Sequence, residues 1–282
     1  LGRFSNGLTW PEQLAGLLNV THVDDYAYGS ATTDNRIARG YSGYNSTLPV
    51  PDVREQVSRY LAHVDAHADG DALYIVSGGS NDAFFGLSAE RNVTELAHDV
   101  VHALQRDVVR LQRHGARHVM VPTLSPMQST PYALDYADAA TRANTTHFTH
   151  RVNAALRTWV HDGTANVTLV DLAALEARIL DHPTRYGVHN TRSACLVGTQ
   201  KLERAAGVAR HECADPDRYF FFDLYHPTAH VHGLLAHGAA QALGVSVEDV
   251  MASITAGELS RLPAATHCSP TRALCTPSAC LP

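Results

Sequence analysis

Apolar positions recur along the chain with two distinct periods. From Pro51, "PDVREQVSRYLAHVDAH" puts Val53, Val57, Leu61 and Val64 on one face of a helix that the proline opens. "TELAHDVVHALQRDVVRLQRHGA" carries the pattern further, with Leu96, Val100, Leu104, Val108 and Leu111 in register and Gly115 just past the end. "TRANTTHFTHRVNAALRTWVHDG" and "TAHVHGLLAHGAAQAL" predict two more helices. The opening segment "LGRFSNGLTWP" predicts a loop feeding a helix, with Thr9 as N-cap, Pro11 in the first turn and Glu12 three residues after Thr9. Short continuous apolar runs lie between the helices. "ALYIVSGG", "RHVMVPTL" and "NVTLVDL" predict buried strands, and "HVDDYAYGS" predicts another that closes on Gly29.

Strand followed by helix, repeated, predicts an α/β fold: a three-layer α/β/α sandwich with a mainly parallel, doubly wound sheet. Its strands are expected to end near Gly29, Gly78, Pro122 and Leu172. No internal repeat or low-complexity block divides the chain. One α/β domain is therefore expected over residues 1–256, followed by a Pro- and Cys-containing tail, 257–282, without periodicity.

Composition narrows the classes. Of the 282 residues, 45% are hydrophobic and 18% charged, as in an ordinary globular protein with a sizeable core. A formal net charge of −6 argues against nucleic acid as the main partner. No apolar run reaches the ~18 residues of a transmembrane segment. The 18 histidines lie mostly singly or on helix faces, which reads as solvated surface rather than metal ligation. Asn-x-Ser/Thr sequons occur at Asn19, Asn45, Asn92, Asn144 and Asn166 and predict N-linked glycans. Cys195, Cys213, Cys268, Cys275 and Cys280 lie in loop-like sequence with no paired metal spacing. Secretion with disulfides is the expectation, with Cys195 bonded to Cys213 and two of the other three paired.

Three short stretches fall at the carboxyl ends of predicted strands, where open α/β sheets bind ligands. They are "YAYGSAT" with Gly29, "VSGGSND" with Asn81, and "FFFDLYHPT" with Asp223 and His226. Singly, each is ordinary turn or cap chemistry. Together they contain what acyl transfer needs: a base, His226, oriented by a carboxylate, Asp223. They also supply two donors for a developing oxyanion, the Gly29 N–H and the Asn81 amide.

The same stretches resemble the GDSL/SGNH family of esterases and lipases, in particular its secreted fungal and plant branch, which includes carbohydrate acetylesterases. "GRFSNGLTWPEQLA", "YAYGSAT", "GSND", "TLSPMQSTP" and "FFFDLYHPT" are similar, in order, to that family's blocks. The resemblance implies a Ser-His-Asp ester hydrolase without metal or organic cofactor. Gly29 and Asn81 would form its oxyanion hole, with His226 as base and Asp223 as its orienter. The implied substrate is an acetyl or short acyl ester of a carbohydrate, with lipid esters second. The family's nucleophile sits in a Gly-Asp-Ser block at the end of the first strand, and no Gly-Asp-Ser occurs in these 282 residues. The block is expected upstream of Leu1, together with the first strand. Ser5, Ser30, Ser77 and Ser80 are not assigned its role. The competing expectation is a non-catalytic, glycosylated structural or binding protein on the same fold, self-associating through exposed sheet edges.

Overall fold

The computed structural model describes residues 2–42, 46–163 and 166–245. Asn45, Cys268, Cys275, Cys280, the boundary expected at 256/257 and the tail lie outside them. In chain order the elements are α1 Trp10–Leu17, β1 Tyr41–Ser42, β2 Leu48–Pro49, α2 Val53–His63, β3 Leu73–Ile75, α3 Ser80–Ser88, α4 Val93–Arg113 and β4 His118–Pro122. Then follow α5 Pro131–Asp135, α6 Ala139–His161, β5 Val167–Val170, α7 Leu172–Asp181, β6 Asn190–Ala194, β7 Leu196–Val197, α8 Lys201–Ala205, β8 His211–Glu212, β9 Tyr219–Phe221 and α9 Ala229–Ala242. They fall into two compact units, one continuous, Tyr26–Ala173, and one discontinuous, Leu1–Asp25 with Ala174–Pro282.

The continuous unit is built on a parallel sheet of order β3-β4-β5, with helices in each crossover. Parallel neighbours require such crossovers, and the apolar strands of the sequence supply them. Its core is the stripe expected from periodicity: Leu96, Val100, Leu104, Val108 and Leu111 of α4 are all buried, against Val57 and Leu61 of α2 and Phe148, Val152 and Leu156 of α6. Asn92 caps α4 by accepting from the N–H groups of Thr94 and Glu95 at 2.9 and 3.1 Å. Gly115 ends the turn after it at φ +114°, a conformation a side chain would strain.

The strand expected to close on Gly29 does not form. Residues 21–28 join no ladder among the described residues. A strand needs a second segment offering alternating donors and acceptors, which local pattern does not report. Most of the stretch is exposed, with His22, Asp24, Asp25, Ala27 and Tyr28 in solvent and Val23 and Tyr26 half-buried. The chain instead turns at Tyr28–Ala31, with Ser30 at φ +67° and the Ala31 N–H bonded to the Tyr28 carbonyl at 3.2 Å.

In the discontinuous unit β6 and β9 pair in parallel, and β7 and β8 pair antiparallel. Cys195 follows β6; its N–H donates to the Phe221 carbonyl at 3.0 Å, and it is bonded to Cys213, with the two Cα atoms 4.8 Å apart. The disulfide thereby closes the base of the β7–β8 hairpin, which the Cys195 N–H joins to the end of β9. Helix α1 docks on α9. The Glu12 carboxylate accepts from the Thr9 N–H and hydroxyl, both at 2.9 Å, and pairs with Arg3. The Trp10 N–H donates to Nδ1 of His232 on α9 at 3.3 Å, which requires that nitrogen to be unprotonated. Burial, with the nearby His226 adding to it, lowers the His232 pKa to about 4, and Glu12 opposes the shift. No helix among the described residues is long and apolar enough to cross a membrane.

Two outcomes follow for stability. A histidine whose folded pKa lies below its unfolded value favours the unfolded chain once that chain is protonated. The His232 contribution is therefore whole above about pH 6.5, is lost as pH falls towards about 4, and levels off below. The full loss is at most roughly 3 kcal/mol. Urea unfolding between pH 7 and 4 should show a shallower pH slope for His232→Gln than for the wild type; parallel slopes would refute the assignment. Removing the Cys195–Cys213 bond with paired alanines frees a loop spanning 18 positions. That should cost about 3 kcal/mol in the chain-entropy model, read as a lowered urea midpoint.

Candidate active site

Asp223 and His226 sit in the turn between β9 and α9. That turn is a hook closed by three bonds: Phe222 N–H to the His226 carbonyl at 2.7 Å, Thr228 N–H to the Phe220 carbonyl at 3.0 Å, and Thr228 hydroxyl to the Tyr219 carbonyl at 2.8 Å. Pro227 bridges back to Phe221, and Thr228 then caps α9. Asp223 is 3% exposed and gathers donors, as a buried carboxylate must. Its Oδ1 accepts the N–H groups of Tyr225 and His226, both at 2.8 Å. Nδ1 of His226 lies 2.9 Å from each carboxylate oxygen. With Nδ1 donating to Asp223, Nε2 is left as the proton acceptor. The imidazole is 40% exposed. Phe4 stacks on it, centroids 4.8 Å apart and planes at 19°, while Tyr225 approaches edge-on at 6.1 Å.

Gly29 and Asn81 belong to the continuous unit. Asn81 stands in the first turn of α3, just after β3, and its Nδ2 donates to the Ala31 carbonyl at 2.9 Å, two residues beyond Gly29. An amide nitrogen carries two hydrogens, so this bond uses one of them. The adjacent Asp82 is fully buried and accepts the Thr33 N–H at 2.9 Å and the Thr33 hydroxyl at 2.7 Å. Burial raises its pKa to about 6 against the opposing pull of those bonds. Residues 29–33 are thus held from the head of α3 at two points. The two glycines before it permit the approach. A Cβ on Gly78 would stand 2.8 Å from Cγ2 of Thr33, and Gly79 adopts φ +127° with Leu124 3.0 Å from where its Cβ would be.

Next to this loop Asp34, 1% exposed, is held by three arginines. Burial alone would raise its pKa, but bonds to Arg36 and the charge of Arg54 bring it down to about 2. Arg106 adds a contact at 2.8 Å. This cluster fastens the far side of the Gly29–Thr33 loop to α4.

The structure therefore joins Asp223 to His226 in one unit, and Asn81 to the loop that carries Gly29 in the other. The sequon asparagines Asn19, Asn92, Asn144 and Asn166 are exposed. Asp82 and Thr33 hold the loop that carries Gly29, and Phe4 lies on His226; none of the three is among the residues expected from sequence. The signal for them was weak: "GSND" and "GRFSNG" were legible as blocks, but not the partners of each residue within them.

Comparison with known proteins agrees with the chemistry. The family model described as GDSL-like lipase/acylhydrolase matches residues 1–239. A thermolabile hemolysin of Vibrio parahaemolyticus is 28% identical over 251 residues, covering 84% of this chain and 54% of that protein. One GDSL esterase/lipase of Arabidopsis thaliana is 24% identical over 197 residues, covering 61% of this chain and 54% of its own. Another is 24% identical over 282 aligned residues, covering 83% and 75%. The chain spans about half the length of the first two of these relatives. A crystal structure of an α/β hydrolase from a lake metagenome superposes with a TM-score of 0.38 at 16% identity, over 71% of this chain and 74% of that one, too little to bear on the argument. A match running from residue 1 to residue 239 is decisive by its extent, and the chain belongs to the GDSL-like lipase/acylhydrolase family.

Proposed function

We propose that the protein is a carboxylic-ester hydrolase working outside the cell on acetyl or other short acyl esters of carbohydrates. The observation that carries this reading is the pair in the β9–α9 hook, a buried carboxylate on Nδ1 of a half-exposed imidazole. Such a pair fixes the tautomer of a base and stabilises the imidazolium that forms when it takes a proton.

In this reading a serine attacks the acyl carbon and gives its proton to Nε2 of His226. By the family resemblance, the donors for the tetrahedral oxyanion are the Gly29 N–H and the second N–H of Asn81. Collapse expels the alcohol, which takes the proton back from His226, and leaves an acyl-serine. Water then repeats the sequence, with His226 again as base, and releases the acid. The family resemblance assigns the serine to a Gly-Asp-Ser block, which these 282 residues do not contain. Exposed sequons and the Cys195–Cys213 bond support an oxidising, extracellular setting.

Protein isolated from its native source should be labelled by a serine-directed fluorophosphonate at the Ser of that block, and should release acetate from acetylated oligosaccharides. A folded protein that takes no label and hydrolyses neither sugar nor lipid esters would establish the non-catalytic glycoprotein instead. Release of fatty acid without acetate would move the substrate to lipids. In the active protein Asn81→Ala should lower kcat by roughly 10²–10³ with a smaller change in KM. An unchanged kcat would confine Asn81 to holding the Ala31 loop.

A further inference from the structure

We infer that Phe4 is a positioning residue for the general base: its ring, stacked on His226, holds the imidazole in the plane in which Nδ1 meets Asp223. The inference rests on the ester-hydrolase reading and adds a residue to its machinery.

A carboxylate on Nδ1 fixes one edge of the imidazole but leaves the ring able to swing about that contact. The swing matters, because proton transfer at Nε2 depends on alignment with the nucleophile. Solvent cannot prevent it, and the imidazole is 40% exposed. Phe4 covers one face, nearly parallel, at 4.8 Å between centroids. Offset stacking of this kind is favourable beyond the area it buries.

The placement of Phe4 is not that of a core residue. It remains 40% exposed, unlike most of the large apolar side chains among the described residues. Yet the chain on either side is fastened. Arg3 Nε donates to Oε2 of Glu12 at 2.7 Å. Asn6 Oδ1 accepts the N–H of Ala229 at 2.8 Å, the first residue of α9 and three beyond His226. Gln13 Nε2 donates to the carbonyls of Leu8 and Ala229, at 2.8 and 2.9 Å. A Cβ on Gly7 would lie 2.8 Å from that of Ala229. The helix end that follows the histidine thus also anchors the segment that presents the phenylalanine. An exposed aromatic ring, braced on both sides and laid on a half-exposed imidazole, is what a ring-orienting contact requires.

Phe4→Leu keeps an apolar side chain and removes the stack, while Phe4→Tyr keeps the stack. Both are made in the native, nucleophile-containing protein. In NMR of histidine-labelled protein, the wild type and Phe4→Tyr should show an upfield ring-current shift on the His226 carbon-bound protons that Phe4→Leu loses. Kinetically, Phe4→Leu should lower kcat about 3- to 10-fold at unchanged KM, with Phe4→Tyr near wild type. A raised KM at unchanged kcat would make Phe4 a wall of the substrate site and overturn the inference; so would unchanged kinetics. Absence of the ring-current shift from the wild type refutes the stack whatever the activity. An inactive wild type with the shift intact refutes the hydrolase reading and leaves the stack standing.

Discussion

Burying a carboxylate obliges the chain to bring donors to it, and this obligation shapes the candidate cluster in each unit. Asp223 could be left unpaired only at a cost of several kcal/mol. The chain meets that demand with two backbone N–H groups and an imidazole. The two backbone bonds fold residues 223–226 into a turn, and the turn delivers the ring nitrogen. Orientation of His226 is thus a consequence of desolvating Asp223. Asp82 imposes the same logic in the other unit. Its donors are the N–H and hydroxyl of Thr33, so satisfying it draws the loop after Gly29 onto the head of α3.

Small residues make these approaches possible. The Asn81 amide reaches the Ala31 carbonyl because Gly78 presents no side chain to Thr33. The segment that holds Phe4 reaches α9 because Gly7 meets a methyl group there. In both places a larger residue would push the backbones apart, away from the roughly 2.7–3.2 Å at which such hydrogen bonds form best. Close packing and polar satisfaction are here the same requirement.

The helices were legible because a 3.6-residue period is local and burial selects it: every apolar position named in α4 is buried. Strands β3, β4 and β5 were legible as apolar runs between glycines and turns. The stretch before Gly29 failed as a strand because pairing is not a local property. The candidate residues Gly29, Asn81, Asp223 and His226 were named from blocks of fixed spacing, and for Asp223 and His226 a separation of three makes the contact nearly local. What escaped was every contact that spans the chain. Thr33 and Asp82 are separated by 49 positions, and Asp34 and Arg106 by 72. Nothing in either local sequence names its partner; a buried Asp and a surface one are spelled alike.

Sequence separation also divides the two units in what their order costs. Tyr26–Ala173 closes on itself through contacts inside one continuous stretch. The hook of Asp223 and His226 is braced by Asn6 and Gln13, separated from Ala229 by 223 and 216 positions. Closing loops of that length costs entropy that grows as about (3/2)RT ln n, so the increment over a loop ten times shorter is only ~2 kcal/mol. A handful of bonds at Ala229, each contributing about 1 kcal/mol net, is enough to offset it. The logarithm is what lets the discontinuous unit exist: its bracing is distant in sequence, yet only slightly dearer than a local turn. The same few bonds that fasten α1 to α9 therefore also hold the Phe4 ring that lies on His226.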